Sequence, residues 1–308
     1  MTLKTIERPR LHEKFLARVC HWFPFFSGGG SIANHRLFNA IAKRRSVLVQ
    51  AKTNGGDVAG RLDDLVGRAA FYFGDLDPKI SWICSQVIQQ GDTVLDVGAN
   101  IGIVSILMSK LVGPSGTVHS FEPQPSLQEC LNYAMERNQR SNLKVHPFAL
   151  GAESGELTLR VPQGNAGKAS FIHDRMRSDA QSIQVQVKTL DEFLIDHRID
   201  KVRMIKIDVE GFEAEVIKGG LKFLEATSPD IILFELNDDC PYDPEIDSIL
   251  TMLERLRFTF LQIPKCMIHM KLERYRPKKG DLPPTNDLVA VRQGTAGAEI
   301  LRRLNVRN

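Results

Sequence analysis

The chain lacks most of the features that assign a protein's class at sight. It has five cysteines in 308 residues. They lie scattered at Cys20, Cys84, Cys130, Cys240 and Cys266, and no two have metal-ligand spacing. A disulfide-built scaffold is thereby excluded, and thiols so placed read as reduced groups of a cytoplasmic protein. Long apolar runs are missing too. The most apolar N-terminal stretch, Phe15 to Phe26, is interrupted by Arg18, His21 and Pro24. It is too short for a membrane span and lacks the cleavage site of a signal peptide. A helix packed on the main body is preferred there over contact with a membrane surface. Charge of one sign is nearly balanced, at +3 net with a pI near 8.6, and no basic stripe carries interleaved aromatics, so nucleic acid is not indicated. Ser46 and Ser105 have no G-x-S-x-G context, which removes the hydrolase elbow. Cys266 and His269 have no partner ligands, so no metal is expected. His146 reads as a packing residue of a strand and Lys278-Lys279 as solvated surface. No internal repeat is present.

What is there is an ordinary globular composition, 43% apolar and 25% charged, with length enough for a large core. The chain is organised around Thr93-Val-Leu-Asp-Val-Gly-Ala-Asn-Ile-Gly102. Val94, Leu95 and Val97 make the short apolar run of a strand covered on both faces. Gly98 and Gly102 let the backbone turn and approach a ligand. Ile103 to Leu111 then carries apolar residues on a helical period. A strand-turn-helix of this kind presents free N–H groups and a positive helix end. The dinucleotide fingerprint G-x-G-x-x-G is incomplete here, because Asn100 stands at the second glycine and Ile103 at the third. The acidic residue two positions before Gly98 gives instead D-x-G-x-x-x-G, which resembles motif I of class I S-adenosylmethionine-dependent methyltransferases.

Taken in order, Leu11 to Phe23 fits an amphipathic helix, Ser27 to Ser31 a flexible glycine break, and Asn34 to Arg45 a second helix. Val47 to Gln50 reads as a strand, and Thr53-Asn-Gly-Gly-Asp57 as a hairpin turn. Asp77-Pro78 opens a helix that runs to Gln90. Beyond the glycine turn come a strand at Thr117–Phe121, a helix at Ser126–Asn138 and a strand at Leu143–Leu150. This β-α-β-α-β order implies a parallel sheet with right-handed crossovers. Gly155–Val161 and Ile183–Val187 alternate in polarity around a long polar loop, Pro162 to Ser182. Further elements are a helix at Thr189–His197, a strand at Val202–Ile207, a helix at Glu213–Leu224 and a strand at Asp230–Leu236. A helix at Asp243–Leu256 and strands at Phe258–Ile263 and Leu288–Val291 complete the order. Only non-helical chain joins the last two strands, so the seventh is expected to be antiparallel.

Three places could carry chemistry. In the turn, Gly98 and the Asn100 backbone would face the amino-acid half of a cofactor, with Gly102 closing the turn and Asp96 holding the loop and the ligand's ammonium group. Glu122 ends the next strand about twenty residues on, where a carboxylate can accept from both ribose hydroxyls. This feature serves NAD and S-adenosylmethionine alike. Ala149, closing the third strand, leaves room for an adenine, and Ser170, Phe171 and His173 could cover it. Asp208 and Glu210 lie just past a strand end in Ile205-Lys-Ile-Asp-Val-Glu-Gly211. With Glu235 they could converge on one point, binding an ammonium group, holding a metal or taking a substrate proton; unpaired, they would repel. The plainer alternative is that Glu210 caps the following helix.

Together, Val94-Leu-Asp-Val-Gly-Ala-Asn-Ile-Gly102, Phe121-Glu-Pro123, Thr189-Leu-Asp-Glu-Phe193, Ile205 to Glu213, Lys218-Gly-Gly220 and Ile232-Leu-Phe-Glu235 resemble the FkbM family of methyltransferases from about Phe71 to Val291. The resemblance implies a Rossmann-like class I methyltransferase fold, α/β, with a mostly parallel seven-stranded sheet and an antiparallel last strand. It implies S-adenosylmethionine as methyl donor and O-methylation of a hydroxyl on a sugar or natural product. The expected partition is an accessory segment of helices and a hairpin over 1–70, the methyltransferase domain over 71–292 and a tail over 293–308. Asp208, Glu210 and Glu235 are the candidate catalytic residues, and Asp96, Gly98, Asn100, Gly102, Glu122, Ala149 and Asp208 the candidate cofactor ligands. The acceptor pocket is expected from the Pro162–Ser182 loop, Asn237, Asp238 and the N-terminal part. Self-association is left open. An NAD-dependent oxidoreductase and a non-catalytic Rossmann-like module are the competing readings.

Overall fold

The structure is a computed structural model that describes residues 6–22, 28–35, 38, 47–162, 166–171, 180–226, 229–236, 242–243, 245, 248–265, 269–282 and 285–306. The chain begins with α1 (Leu11–Cys20), α2 (Gly29–Ala33) and a hairpin of β1 (Leu48–Lys52) and β2 (Asp57–Arg61). Two helices follow, α3 (Leu65–Phe73) and α4 (Pro78–Val87). The side chain of Asp77 accepts from the Lys79 N–H, and Pro78 loses no hydrogen bond at the first helical position. The central run is β3 (Thr93–Val97), α5 (Ile103–Val112), β4 (Thr117–Phe121), α6 (Pro125–Arg137) and β5 (Leu143–His146). After it come β6 (Ala149–Leu150), β7 (Gly155–Val161), β8 (Gln181–Lys188), α7 (Leu190–Asp196), β9 (Met204–Ile207), α8 (Glu213–Lys218), α9 (Leu221–Ala226) and β10 (Ile231–Glu235). The chain closes with α10 (Ile249–Arg255), β11 (Phe258–Gln262), β12 (Glu273–Tyr275), β13 (Asp287–Arg292) and α11 (Thr295–Arg303).

The main sheet has the order β12-β11-β13-β10-β9-β3-β4-β5. From β5 to β10 every pairing is parallel, and β13 is antiparallel to both β10 and β11. The chain leaves β3 towards β4 and β5, then returns to the other side of β3 for β9 and β10. The crevice between the ends of β3 and β9 is therefore the switch point, where ligands of open α/β sheets bind. The sheet is covered on both faces. Val94 and Met204 belong to one buried cluster with Ile106 and Leu131, whereas Leu95, Val97, Ile205 and Ile207 belong to another with Phe193 and Val216. The strand period of two thus sends Asp96 and Lys206, in register with each other across β3 and β9, to the face of Val94 and Met204. Val49, Val58 and Leu62 of the N-terminal hairpin region join that same cluster.

The mostly parallel α/β sheet with an antiparallel strand near its edge is as expected, but details differ. An eighth strand, β12, pairs with Phe260–Gln262; three residues are too few for alternation to announce it. The expected strand Leu143–Leu150 is two strands. Pro147 has no N–H to give the ladder, and beyond it β6 leaves for a separate sheet, β6-β8-β7. The expected helix Glu213–Leu224 is two helices, α8 and α9, divided at Gly219-Gly220. A Cβ on Gly219 would lie 2.0 Å from the Gly151 carbonyl oxygen. The glycine break contains α2, whose Gly29 packs against the Phe73 ring. Residues after 292 form α11, with Ile300 and Leu304 in the core. Helix α10 begins only at Ile249, capped by Ser248, and the expected helix over 34–45 lies largely outside the described residues. No helix among the described residues is long and apolar enough to cross a membrane.

Candidate active site

The glycine turn is backed by a buried polar ladder that runs from β4 through α5 to β3 and β9. Ser120 donates to Ser105 at 2.9 Å, and Ser105 to Asp96 at 2.5 Å. The Lys206 ammonium lies 3.3 Å from Asp96, 3.4 Å from Asp208 and 2.9 Å from the Gly98 carbonyl oxygen, to which it donates. Asp96 has no exposed surface, and Lys206 is buried. Burial pulls the Lys206 ammonium down, but the carboxylates of Asp208 and Asp96 outweigh it and hold the group above the ordinary lysine value. One buried cation therefore ties the end of β9 to the turn after β3. The two approach so closely that a Cβ on Gly98 would sit 1.9 Å from the Asp208 carbonyl oxygen, and Gly98 itself has φ 79°. Lys206 was missed as a site residue. Its signal was a lysine inside Met204-Ile-Lys-Ile207, a strand too apolar to bury an unpaired charge.

Gly98, Asn100, Glu122, Ala149, Asp208 and Glu210 meet around a cleft of about 540 Å³, open to solvent. Leu150, Leu159, Phe171 and Phe212 supply its apolar wall, with the two phenylalanine rings 4.7 Å apart. Glu122 is 3% exposed. Its carboxylate accepts from the Asn100 and Gln124 N–H groups, each at 2.9 Å and each on a different oxygen. Burial pushes the carboxyl up to about 7 against the pull of those two donors. Asp96 and Gly102 are not on the cleft wall; they stand behind the turn.

A second cleft of about 800 Å³ shares Gly98, Asn100, Gly167, Asp208 and Glu210 with the first. Its far wall includes Leu65 and Val66 of α3, Asp75 and Asp77 before α4, and Lys168. Chain before the glycine turn thus helps to form the site. Burial, with repulsion from Asp287, pushes Asp77 up to about 6 despite Lys79 at 3.3 Å.

Asp208 and Glu210, which line both clefts, converge with Glu235, each of the three offering one carboxylate oxygen within 4.8 Å of the others. Burial and then repulsion from Asp208 push Glu210 up to about 7. Its backbone is left-handed, φ 52°, and its carbonyl accepts from Ser170 at 2.8 Å. Glu210 does not cap the following helix. The helix has no side-chain cap; Glu213 instead ties the turn before it, its carboxylate accepting from the Val209 and Gly211 N–H groups at 3.1 Å. No hydrogen bond to the Glu210 carboxylate is made among the described residues. His173, Asn237 and Asp238, expected near the site, lie outside those residues.

The model of the methyltransferase FkbM domain matches residues 96–260, more than half of the chain. This chain belongs to the FkbM methyltransferase family. It is similar to Methyltransferase 1 of Beauveria bassiana, 28% identical over 143 residues that cover 41% of this chain and 57% of that one. It is similar also to hexuronic acid methyltransferase AglP of Haloferax volcanii, 28% identical over 142 residues, 46% of this chain and 54% of that one. The 31-O-demethyl-FK506 methyltransferase FkbM of Streptomyces tacrolimicus is 28% identical over 181 residues, 50% and 69% of the two chains. The chain spans under two thirds of the length of the first two relatives. The cofactor of this FkbM methyltransferase domain is S-adenosylmethionine. The cleft fits it chemically: a carboxylate has about four acceptor sites, and Glu122 has used two, leaving two for donors such as a pair of hydroxyls.

Proposed function

We propose that this protein is an S-adenosylmethionine-dependent O-methyltransferase acting on a hydroxyl of a sugar or natural-product-like acceptor. The observation that carries the reading is the convergence of Asp208, Glu210 and Glu235 beside the glycine turn, with Glu210 poised near neutrality. On this reading Glu122 takes the ribose hydroxyls, while Ala149, Leu150 and the Phe171–Phe212 pair border the adenine. Gly98 and Asn100 present backbone to the amino-acid half. Bound there, S-adenosylmethionine supplies a methyl group on a sulfonium, a good electrophile already. The acceptor hydroxyl enters from the second cleft, whose carboxylates suit an acceptor rich in hydroxyl donors. Its oxygen must be held in line with the methyl carbon and kept from competing water. As the new C–O bond forms and the C–S bond breaks, the hydroxyl proton passes to Glu210. Lys206 keeps Asp208 paired, so that the proton goes to Glu210, the carboxylate that burial and Asp208 have raised. Two relatives, named for methylating a hexuronic acid and 31-O-demethyl-FK506, support a hydroxylated acceptor.

Calorimetric titration with S-adenosylmethionine and its demethylated product, with NAD as control, tests the cofactor. Binding of the first two alone is expected; binding of NAD alone would restore the oxidoreductase, and binding of none the scaffold. Glu210→Gln is expected to lower kcat by about a hundredfold or more, the usual worth of a general base, with cofactor Kd unchanged. In the wild type the kcat limb should rise with pH through about 7 and vanish in the variant. Full turnover by Glu210→Gln would remove the assignment.

A further inference from the structure

Helix α1 has two apolar faces, and only one is used. Leu16, Ala17 and Cys20 pack on the body of the protein. On the other side Leu11 is 87% exposed, Phe15 71% and Val19 56%, one turn apart in succession, and Trp22 continues the stripe at 87%. The other large apolar side chains exposed by more than half, Ile195 and Leu282, stand singly among the described residues. A contiguous stripe with two aromatics is a surface shaped to be covered. Cations outnumber acids around it, Glu7 and Glu13 being the acids of this segment. Lys14 and Arg18 border the stripe within the helix, and Arg8 and Arg10 precede it. Glu13, the single acid of α1, is turned inward at 2% exposure and accepts from the Arg10 N–H. Beside the stripe, α1 and β1 enclose an open recess to which Lys14, Arg18, His21 and Lys52 contribute and no acid does.

We propose that α1 and Trp22 seat this protein on an anionic lipid surface. The apolar stripe enters the headgroup–acyl boundary, as in helices that lie in the plane of an interface. Arg8, Arg10, Lys14 and Arg18 meet the lipid phosphates, their stems lying along the apolar layer. The recess beside α1 admits a phosphate-bearing headgroup. A second copy of this chain is the poorer occupant, because pairing the stripes would bring like charges together on their borders. The inference is independent of methyl transfer.

Flotation of the full chain with vesicles of phosphatidylcholine, and of phosphatidylcholine mixed with phosphatidylglycerol, tests it. Partition is expected to be about tenfold or more higher on the anionic vesicles, since each surface cation adds about a factor of five, and to fall with added salt. In a Trp82→Phe background the Trp22 emission should shift to the blue on those vesicles. Phe15→Ser with Trp22→Ser should lower partition by about tenfold or more and leave S-adenosylmethionine affinity and melting temperature unchanged. Lys14→Glu with Arg18→Glu should remove the preference for anionic lipid. Absence of binding to either vesicle, or equal binding to both, would overturn the proposal. So would a concentration-dependent dimer that Phe15→Ser disperses, which would assign the stripe to a second copy.

Discussion

Glu122→Gln separates the energetic burden of the cleft from its use. Burial raises the wild-type carboxyl from its ordinary 4.5 to about 7. At pH 8 the folded protein therefore carries a buried charge whose cost, taken from that shift, is about 3 kcal/mol. The sign follows from linkage. A folded-state value above the unfolded one stabilises below about pH 4.5, and that contribution is lost as pH rises through about 7. Glutamine has no charge to bury, but one of its two terminal atoms is a donor. It must then face either the Asn100 or the Gln124 N–H, both now received by carboxylate oxygens, at a cost of about 1–3 kcal/mol. At pH 5 both proteins are largely neutral at this position, and the variant should be the less stable. At pH 8 the charge term is as large as the mismatch or larger, and the variant should equal or exceed the wild type. The difference should swing by about 3 kcal/mol, or on the order of 5 °C in melting temperature for a chain of this size. Cofactor affinity should move the other way, falling roughly 10–100-fold with the loss of a charge-assisted hydrogen bond to the ribose. Thermal melts across pH 5 to 8, with calorimetry at pH 8, measure both. A stability difference that does not change with pH would refute the buried-charge argument, and unchanged affinity would refute the ribose contact.

Three further outcomes follow from the same contacts. Lys206→Met removes the buried cation and leaves Asp96 uncompensated; unfolding free energy should drop by about 3–5 kcal/mol, and denaturant melts would show if the ion pair carries less. Gly98→Ala puts a methyl 1.9 Å from the Asp208 carbonyl at a positive φ, so cofactor binding should be lost and the melting temperature lowered by several degrees; near-native binding would mean that the β9 end yields freely. His119 and His146, whose ring nitrogens lie 3.0 Å apart, are pushed down by burial to about 4 and about 3, with His197 and nearby lysines adding to the effect. Their folded values lie below the unfolded one, so stability present above about pH 6.5 is lost as pH falls towards 4, by up to about 3 kcal/mol. His119→Phe should flatten that acid limb of the stability profile, and an unaltered limb would place its cause elsewhere.

Legibility of the fold in the sequence followed the strength of local signals. β3, β4, β9 and β10 are short apolar runs with turns at their ends, and buried parallel strands have to be written that way. The Asp77-Pro78 start of α4 and the Thr189–Glu192 capping box of α7 are local hydrogen-bond patterns, readable without tertiary knowledge. The losses came where partners are distant. Nothing in Ala149-Leu150 says that it pairs with Val187-Lys188 rather than continuing β5, although Pro147 warned of a break. The register of β12 depends on β11, and the burial of Ile300 and Leu304 depends on the core they meet. The convergence of Glu235 with Asp208 and Glu210 could be inferred only because parallel neighbours bring their C-terminal ends to one rim.

Lys206 makes the remaining point, for its role follows from register alone. In β3 and β9 Asp96 and Lys206 are direct neighbours, so a carboxylate and an ammonium group buried on the same face must pair or leave the core. That pair explains how three carboxylates can share one rim. Asp208 has the buried cation 3.4 Å away, whereas Glu210, which Lys168 and Lys206 pull down less than burial and Asp208 push it up, stands at about 7. Adjacent acids whose surroundings differ in this way divide into a fixed charge and a group able to take a proton near neutral pH. The proposed base is therefore Glu210 because Lys206 has already been committed to its neighbour. Asp96 has no exposed surface and is met from inside by Ser105 and Lys206, and on the proposed reading it acts on the cofactor through the turn that Lys206 holds.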